Sequence, residues 1–176
     1  MISIPMQEHG KCLQKSGNKA YMMGFIERVD AVLDLPSIGV DRLRFRACGS
    51  RGFYSAHNRT VVLNPYSKSF SPDYRGYAFK KYGGRADLTP GGVFAHECGH
   101  GFFATYRQQL TEYFKDARKR KRKSITSYGT SCLEEDVAEC FRLYTTNWQL
   151  LEQLDEPRFH AVDCLAVIHF LDVEGA

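Results

Sequence analysis

Apolar residues change their period several times along the chain, and each change marks an element. Between Asn18 and Leu33, Tyr21, Met22, Phe25, Ile26, Val29 and Leu33 fall on one side of a helix that ends before Pro36. Leu43 to Ala47 then alternates apolar residues with arginine, as a half-buried strand does. Gly52–Ala56 and Thr60–Leu63 are β-prone runs on either side of His57-Asn58-Arg59, which predicts a hairpin with an exposed turn histidine. Tyr66 to Gly84, rich in Ser, Tyr, Lys and Gly, reads as a long irregular excursion suited to walling a cleft. Helical spacing returns at Val93, Phe94 and Ala95 and continues through Phe102, Phe103, Tyr106, Leu110 and Phe114. Thr89 is placed to cap that helix, with Pro90 at its first position. A further helix presents Val137 and Phe141 to the core, and Trp148–Leu154 and Pro157–Leu171 add two more, the last with Phe159, Val162, Ala166 and Phe170 partly periodic. The pattern predicts an α+β fold with a backing helix, a small twisted sheet and two long helices after it. The boundaries are an N-terminal extension over residues 1–17 and a single domain over 18–176.

Composition narrows the class. At 176 residues and 43% hydrophobic, the chain fits one domain with a sizeable core, and it contains neither an internal repeat nor a low-complexity segment. Met1 to Ser16 lacks the apolar stretch of a cleaved signal, and the apolar run near Cys164–Leu171 is too short to span a bilayer. A soluble protein is expected, either cytoplasmic or exported without a cleavable signal. Six cysteines, at 12, 48, 98, 132, 140 and 164, show no CxxC pairing and read as reduced thiols, with Cys98 as a small buried residue. The formal charge of +4 is local: Arg118–Lys123 holds six of the 24 basic residues, leaving 18 against 20 acidic ones. That run is a solvated loop or helix end, or a docking site for an acidic surface. It carries no aromatics to stack nucleic-acid bases.

The chemistry concentrates in His96-Glu97-Cys98-Gly99-His100. On a helix of about 3.6 residues per turn, His96 and His100 project from one face with room for a metal ion between their rings, and Glu97 lies alongside as a base. A catalytic zinc takes three protein ligands, and Glu134-Glu135-Asp136-Val137-Ala138-Glu139 contains the candidate third. Glu135 and Glu139 share a helix face, so one can bind metal while the other accepts a hydrogen bond from a ligating imidazole.

Ser127-Tyr128-Gly129, then Glu135, Ala138-Glu139 and Phe141-Arg142-Leu143, together with the stretch from Val93 to Gly101, resemble the gluzincin zinc metallopeptidases that include the catalytic domain of anthrax lethal factor. The layout is also similar to that of secreted proline-specific endopeptidases. The resemblance implies one zinc ion held by His96, His100 and Glu135, Glu97 as general base, Tyr128 steadying the transition state, and Glu139 supporting a ligand from outside. The sequence departs from that pattern at Asp136, where a bulky apolar residue is common, and at Cys98. The implied function is a zinc endopeptidase, in the setting of a bacterial effector or toxin delivered into a host cytosol and acting on a host protein. By analogy with that architecture, Thr60–Asn64 is expected to pair with an extended protein substrate. The other reading is an inactive zinc-containing adaptor module whose basic run recruits a partner. His160 and His169 fall outside this constellation.

Overall fold

The computed structural model describes Gly24 and residues 34–70, 88–119 and 123–173, with side chains through Ala166. Among them the protein is α+β, with a mixed three-stranded sheet and four helices. The expected helix over Asn18–Leu33 lies outside the described residues, apart from Gly24, which is helical.

The strands are β1 (Arg42–Phe45), β2 (Gly52–Ser55) and β3 (Thr60–Leu63), in the order β1-β3-β2. β1 runs parallel to β3, with Leu43 opposite Val61, and β2 pairs antiparallel to it, with Phe53 opposite Val62. β1 alternates as its sequence predicts, Leu43 and Phe45 buried and Arg42 and Arg44 exposed. The hairpin forms where expected, through a short 3-10 turn over Ala56–Asn58 and a left-handed Arg59 (φ 48°). The expectation that Thr60–Asn64 offers a pairing edge is corrected here. β3 is the central strand, buried at all four positions, and its main-chain groups are taken by neighbours on both sides. A Thr-Val-Val-Leu run with no charged face suits that interior position, whereas β1, with its exposed arginines, and β2, with partly exposed residues throughout, form the two edges.

α1 (Pro90–Thr105) begins as its sequence predicts: Thr89 Oγ1 accepts the Gly92 N–H at 3.1 Å, and Pro90 takes a first-turn position where no N–H is needed. The helical period continuing to Phe114 is interrupted at Tyr106, where the backbone turns to φ −109°, ψ 28° before α2 (Arg107–Lys119) starts. α2 buries only Leu110, Phe114 and Ala117 and leaves its charged face in water. α3 (Leu133–Leu154) is continuous but for an extended Asn147, whose side chain caps the following turn by accepting the Leu150 N–H at 3.2 Å. Trp148–Leu154 is therefore the separate helical segment anticipated from sequence. α4 (Glu156–Val173) follows, capped by Asp155 through the Arg158 N–H at 3.2 Å. None of the described helices is long and apolar enough to cross a membrane.

α1 forms the centre, with the sheet on one flank and α3 on the other. Gly101 packs against Val40 and Ile38, and a Cβ at Gly52 would stand 3.2 Å from Glu97 Cγ, so the β2 edge lies directly on the helix. Toward α3, Phe102 and Phe141 meet at 4.9 Å between ring centres. A Cβ at Gly99 would fall 2.7 Å from Ala138 Cα and 3.1 Å from Phe141 Cβ. The backbones of α1 and α3 therefore touch, which only glycine permits on the α1 side.

Asp136 does not face the histidines. It is 1% exposed and turns toward α4, where Arg158 Nη2 stands 2.8 Å away, with Arg118 Nη1 of α2 at 3.7 Å. Arg158 also binds Asp155 at 2.7 Å. This buried cluster ties α2, α3 and α4 together. Burial acts to lower the Arg158 pKa, but the two carboxylates outweigh it and raise the value.

Two substitutions test this frame. Gly99→Ala is expected to destabilise the protein by about 1–3 kcal/mol by forcing α1 from α3, read from the urea midpoint. Arg158→Ala, which strips a buried charge of its partner, is expected to cost about 3–5 kcal/mol in the same measurement.

Candidate metal centre

His96 and His100, four residues apart on α1, present their rings edge to face with centres 4.8 Å apart. Glu135, in the first turn of α3, reaches across to both: its Oε2 lies 3.2 Å from His96 Nε2 and 3.8 Å from His100 Nε2. The three groups each offer one donor atom within 4.8 Å of the others, close enough to hold a metal ion.

The surroundings of these donors suit a cation. The two oxygens of Glu135 have different tasks: Oε1 accepts the Tyr128 hydroxyl at 3.0 Å, while Oε2, buried and without a hydrogen-bond partner among the described residues, faces the two imidazoles. A buried carboxylate oxygen left in that state is costly unless a positive charge meets it. Burial acts to raise the Glu135 pKa, yet contact with His96, the charge of His100 and the Tyr128 hydroxyl outweigh it and hold the carboxyl below its usual range. His100 is shifted downward, first by burial and then by the neighbouring His96, which favours the neutral imidazole that a metal requires.

Each imidazole has a carboxylate behind it. His96 Nδ1 lies 2.9 Å from Glu139 Oε1, close in distance though not aligned as a direct hydrogen bond. Glu139 is fully buried and is held by Arg142 Nη2 at 3.0 Å. On the other ring, His100 Nδ1 stands 3.1 Å from Glu134 Oε1. Carboxylates at the Nδ1 positions leave both Nε2 atoms facing the Glu135 oxygen and set the ring orientation. Sequence reasoning had Glu139 in this position but missed Glu134 and Arg142. The signal for Glu134 was its adjacency to Glu135, since the next residue on a helix points about 100° away and meets the second ring. Arg142 was signalled by its spacing of three from Glu139.

Tyr128 is placed by a tight turn. Thr126 Oγ1 accepts the Gly129 N–H at 3.1 Å, and Ser131 Oγ donates to the Tyr128 carbonyl at 2.8 Å. A Cβ at Gly129 would collide with Ser124 Oγ and fall 3.2 Å from Asp136 Cα, so the glycine lets the turn lie flat on α3. The Tyr128 ring sits 5.8 Å from that of His96. Glu97 is buried, and with His96, Tyr128, Arg142, Val93, Leu88 and the Ser50–Gly52 turn it lines a cavity of about 170 Å³.

Other candidates stand apart. His57 is exposed in the hairpin turn, and His160 lies on the surface of α4, 3.6 Å from Glu156. Cys98 is buried in the core, and Cys48, Cys98, Cys132, Cys140 and Cys164 are free thiols. Of the basic run, Lys119 and Lys123 are exposed and Arg118 reaches Asp136, while Arg120–Arg122 lie outside the described residues. Tyr66–Phe70 ends in a 3-10 turn that buries Phe70, and the excursion from 71 to 84 lies outside the described residues.

Compared with protein-family models, curated proteins and solved structures, the chain finds no match in any of the three. The geometry of the site therefore carries the functional argument.

Glu139→Gln, which keeps shape but removes the charge behind His96, is expected to weaken divalent-metal affinity about 10- to 100-fold, measured by competition with a chromogenic chelator. The two lowered pKa values act in one direction on the metal-free protein. Above the ordinary histidine pKa of about 6.5 the folded and unfolded chains both hold His100 neutral, and as pH falls below it the unfolded chain takes up the proton first. Glu135 adds the same sign at lower pH. Thermal stability of the metal-free protein is expected to fall between pH 7 and pH 5, with a shallower slope in His100→Ala.

Proposed function

We propose that the protein is a zinc-dependent endopeptidase of gluzincin type. The observation that carries this reading is the convergence of His96, His100 and Glu135 on one point, with His96 lining a cavity that Glu97 and Tyr128 also line. Two histidines and a carboxylate form a donor set that suits zinc, and three protein ligands leave room for water. An ion held there supplies Lewis-acid activation of water and of a carbonyl group.

The remaining chemistry belongs to the chain. Glu97, adjacent to His96 on α1 and pressed against the β2 edge, takes the proton of the attacking water and passes it to the leaving amine. The Tyr128 hydroxyl, which orients Glu135 in this structure, is a donor on the same cavity wall and serves the negative charge that develops on the scissile carbonyl oxygen. Glu134, bonded to His100 Nδ1, and Glu139, placed beside His96 Nδ1, keep both Nε2 atoms turned toward Glu135. Because β2 is the sheet edge beside Glu97, an extended peptide pairs along Gly52–Ser55 in this reading, not along Thr60–Asn64. The action on a host protein as a delivered effector rests on the family resemblance alone.

The test is cleavage of a mixed peptide library at neutral pH. Activity is expected to disappear with a chelator and return with zinc. Glu97→Gln is expected to keep the metal and lose nearly all turnover, His96→Ala and Glu135→Ala to lose the metal itself. Tyr128→Phe is expected to retain zinc with turnover lowered about 100-fold. A Glu97→Gln protein as active as its parent overturns the reading. Stoichiometric zinc without cleavage of any peptide favours the inactive adaptor.

A further inference from the structure

The cavity beside Glu97 contains a second cationic feature that the proposed hydrolysis does not use. Arg51 and Arg142 both line it. Arg142 is committed, since its guanidinium lies 3.0 Å from the buried Glu139. Arg51 is half-buried, and its Nε is buried without a hydrogen-bond partner among the described residues. A guanidinium carries a fixed charge and five donors in a planar fork, and one at the wall of a cleft presents that fork to an incoming acceptor.

The backbone that carries Arg51 is held firmly. Asn64, at the end of β3, donates from Nδ2 to the carbonyls of Cys48 at 2.7 Å and Ser50 at 3.1 Å, and its main-chain N–H binds the Arg51 carbonyl at 2.8 Å. Ser50 Oγ closes the turn on the Gly52 carbonyl at 2.7 Å. The turn therefore spans the start of the sheet edge with its position set by the central strand, one residue from the contact of Gly52 with Glu97. That is the arrangement of a recognition group on a rigid support.

We infer that Arg51 binds a carboxylate of the substrate, so that the cleft selects peptides carrying a negative charge next to the bond presented to Glu97. The inference rests on the peptidase reading for the nature of the ligand, and on the Arg51 geometry for its charge. A carboxylate reaches this position either as an Asp or Glu side chain or as a free C-terminus, and both match the fork of the guanidinium.

Binding separates these sources and separates the inference from the hydrolysis. Three short peptide libraries without basic residues are titrated into the zinc-supplemented Glu97→Gln protein: one with a Glu at varied positions and an amidated end, one neutral with a free C-terminus, and one neutral and amidated. One of the two carboxylate libraries is expected to bind about 10- to 100-fold more tightly than the neutral amide, the range of a hydrogen bond to a charged group. Adding Arg51→Gln is expected to bring all three to one level, while Arg51→Lys keeps part of the preference. Equal binding of the three libraries by the Arg51 protein overturns the inference even if the parent chain cleaves peptides. So does a preference that survives Arg51→Gln. A carboxylate preference in a chain whose Glu97 parent cleaves nothing supports the Arg51 site and removes the peptidase reading alone.

Discussion

The contact of α1 with α3 at Gly99 and Ala138 is the constraint on which the rest of the molecule depends. His96 and His100 flank that glycine on one helix, and Glu135 and Glu139 flank the alanine on the other. With the backbones in contact, a carboxylate one turn from the crossing reaches the ring nitrogens, and Glu135 Oε2 comes to 3.2 Å from His96. A side chain at the crossing would separate the helices by ångströms, the scale on which a metal site fails. The fold thus converts one small residue on each helix into a three-donor cluster.

Gathering that many charged groups out of water requires each to have a counterpart. Glu139 is fully buried between His96 and Arg142, and Asp136 is buried between Arg158 and the approach of Arg118. Two successive turns of α3 therefore carry separate ion clusters, one toward the metal centre and one toward α2 and α4. The second explains how the chain accommodates an aspartate at 136. Its charge is directed away from the histidines, and the neighbouring helices supply arginines at that location. Such buried pairs contribute little net stability relative to apolar packing, but loss of one partner is expensive. Their value here is positional, because they lock the rotation of α3 and with it the direction of Glu135.

The sheet contributes in the same positional sense. Its three short strands give α1 a flat surface on which Gly52 meets Glu97 and Gly101 meets Val40. Placing the apolar β3 in the middle leaves β2 at the edge by the cavity, and Asn64 at the end of β3 staples the Cys48–Gly52 turn beside it. The proposed pairing edge and the proposed carboxylate-binding arginine thus stand on one short stretch of backbone, and Glu97, the proposed proton acceptor, packs against it from α1.

Local chemistry was legible in the sequence. The cap at Thr89, the start at Pro90, the hairpin around His57–Arg59 and the shared faces of His96 with His100 and of Glu135 with Glu139 follow from helical and strand periods, which act over a few residues and need no partner. The same periods could not show that Tyr106 ends α1, because a change of backbone direction leaves the apolar spacing on either side intact. Nor could they correct the analogy that put Thr60–Asn64 at an edge. Strand order depends on which segments meet across the fold, and a parallel partner arriving from Arg42–Phe45 is invisible to local pattern. Glu134 behind His100, Arg142 behind Glu139 and Arg158 against Asp136 were decided only by tertiary structure, since the sign and reach of a charge are written in the sequence but its neighbour is not. The sequence by itself determined which residues can hold a metal and on which helix faces they lie. The packing of α1 on α3 decided that they meet, because only the close approach of two backbones brings Glu135 Oε2 to 3.2 Å from His96 and 3.8 Å from His100.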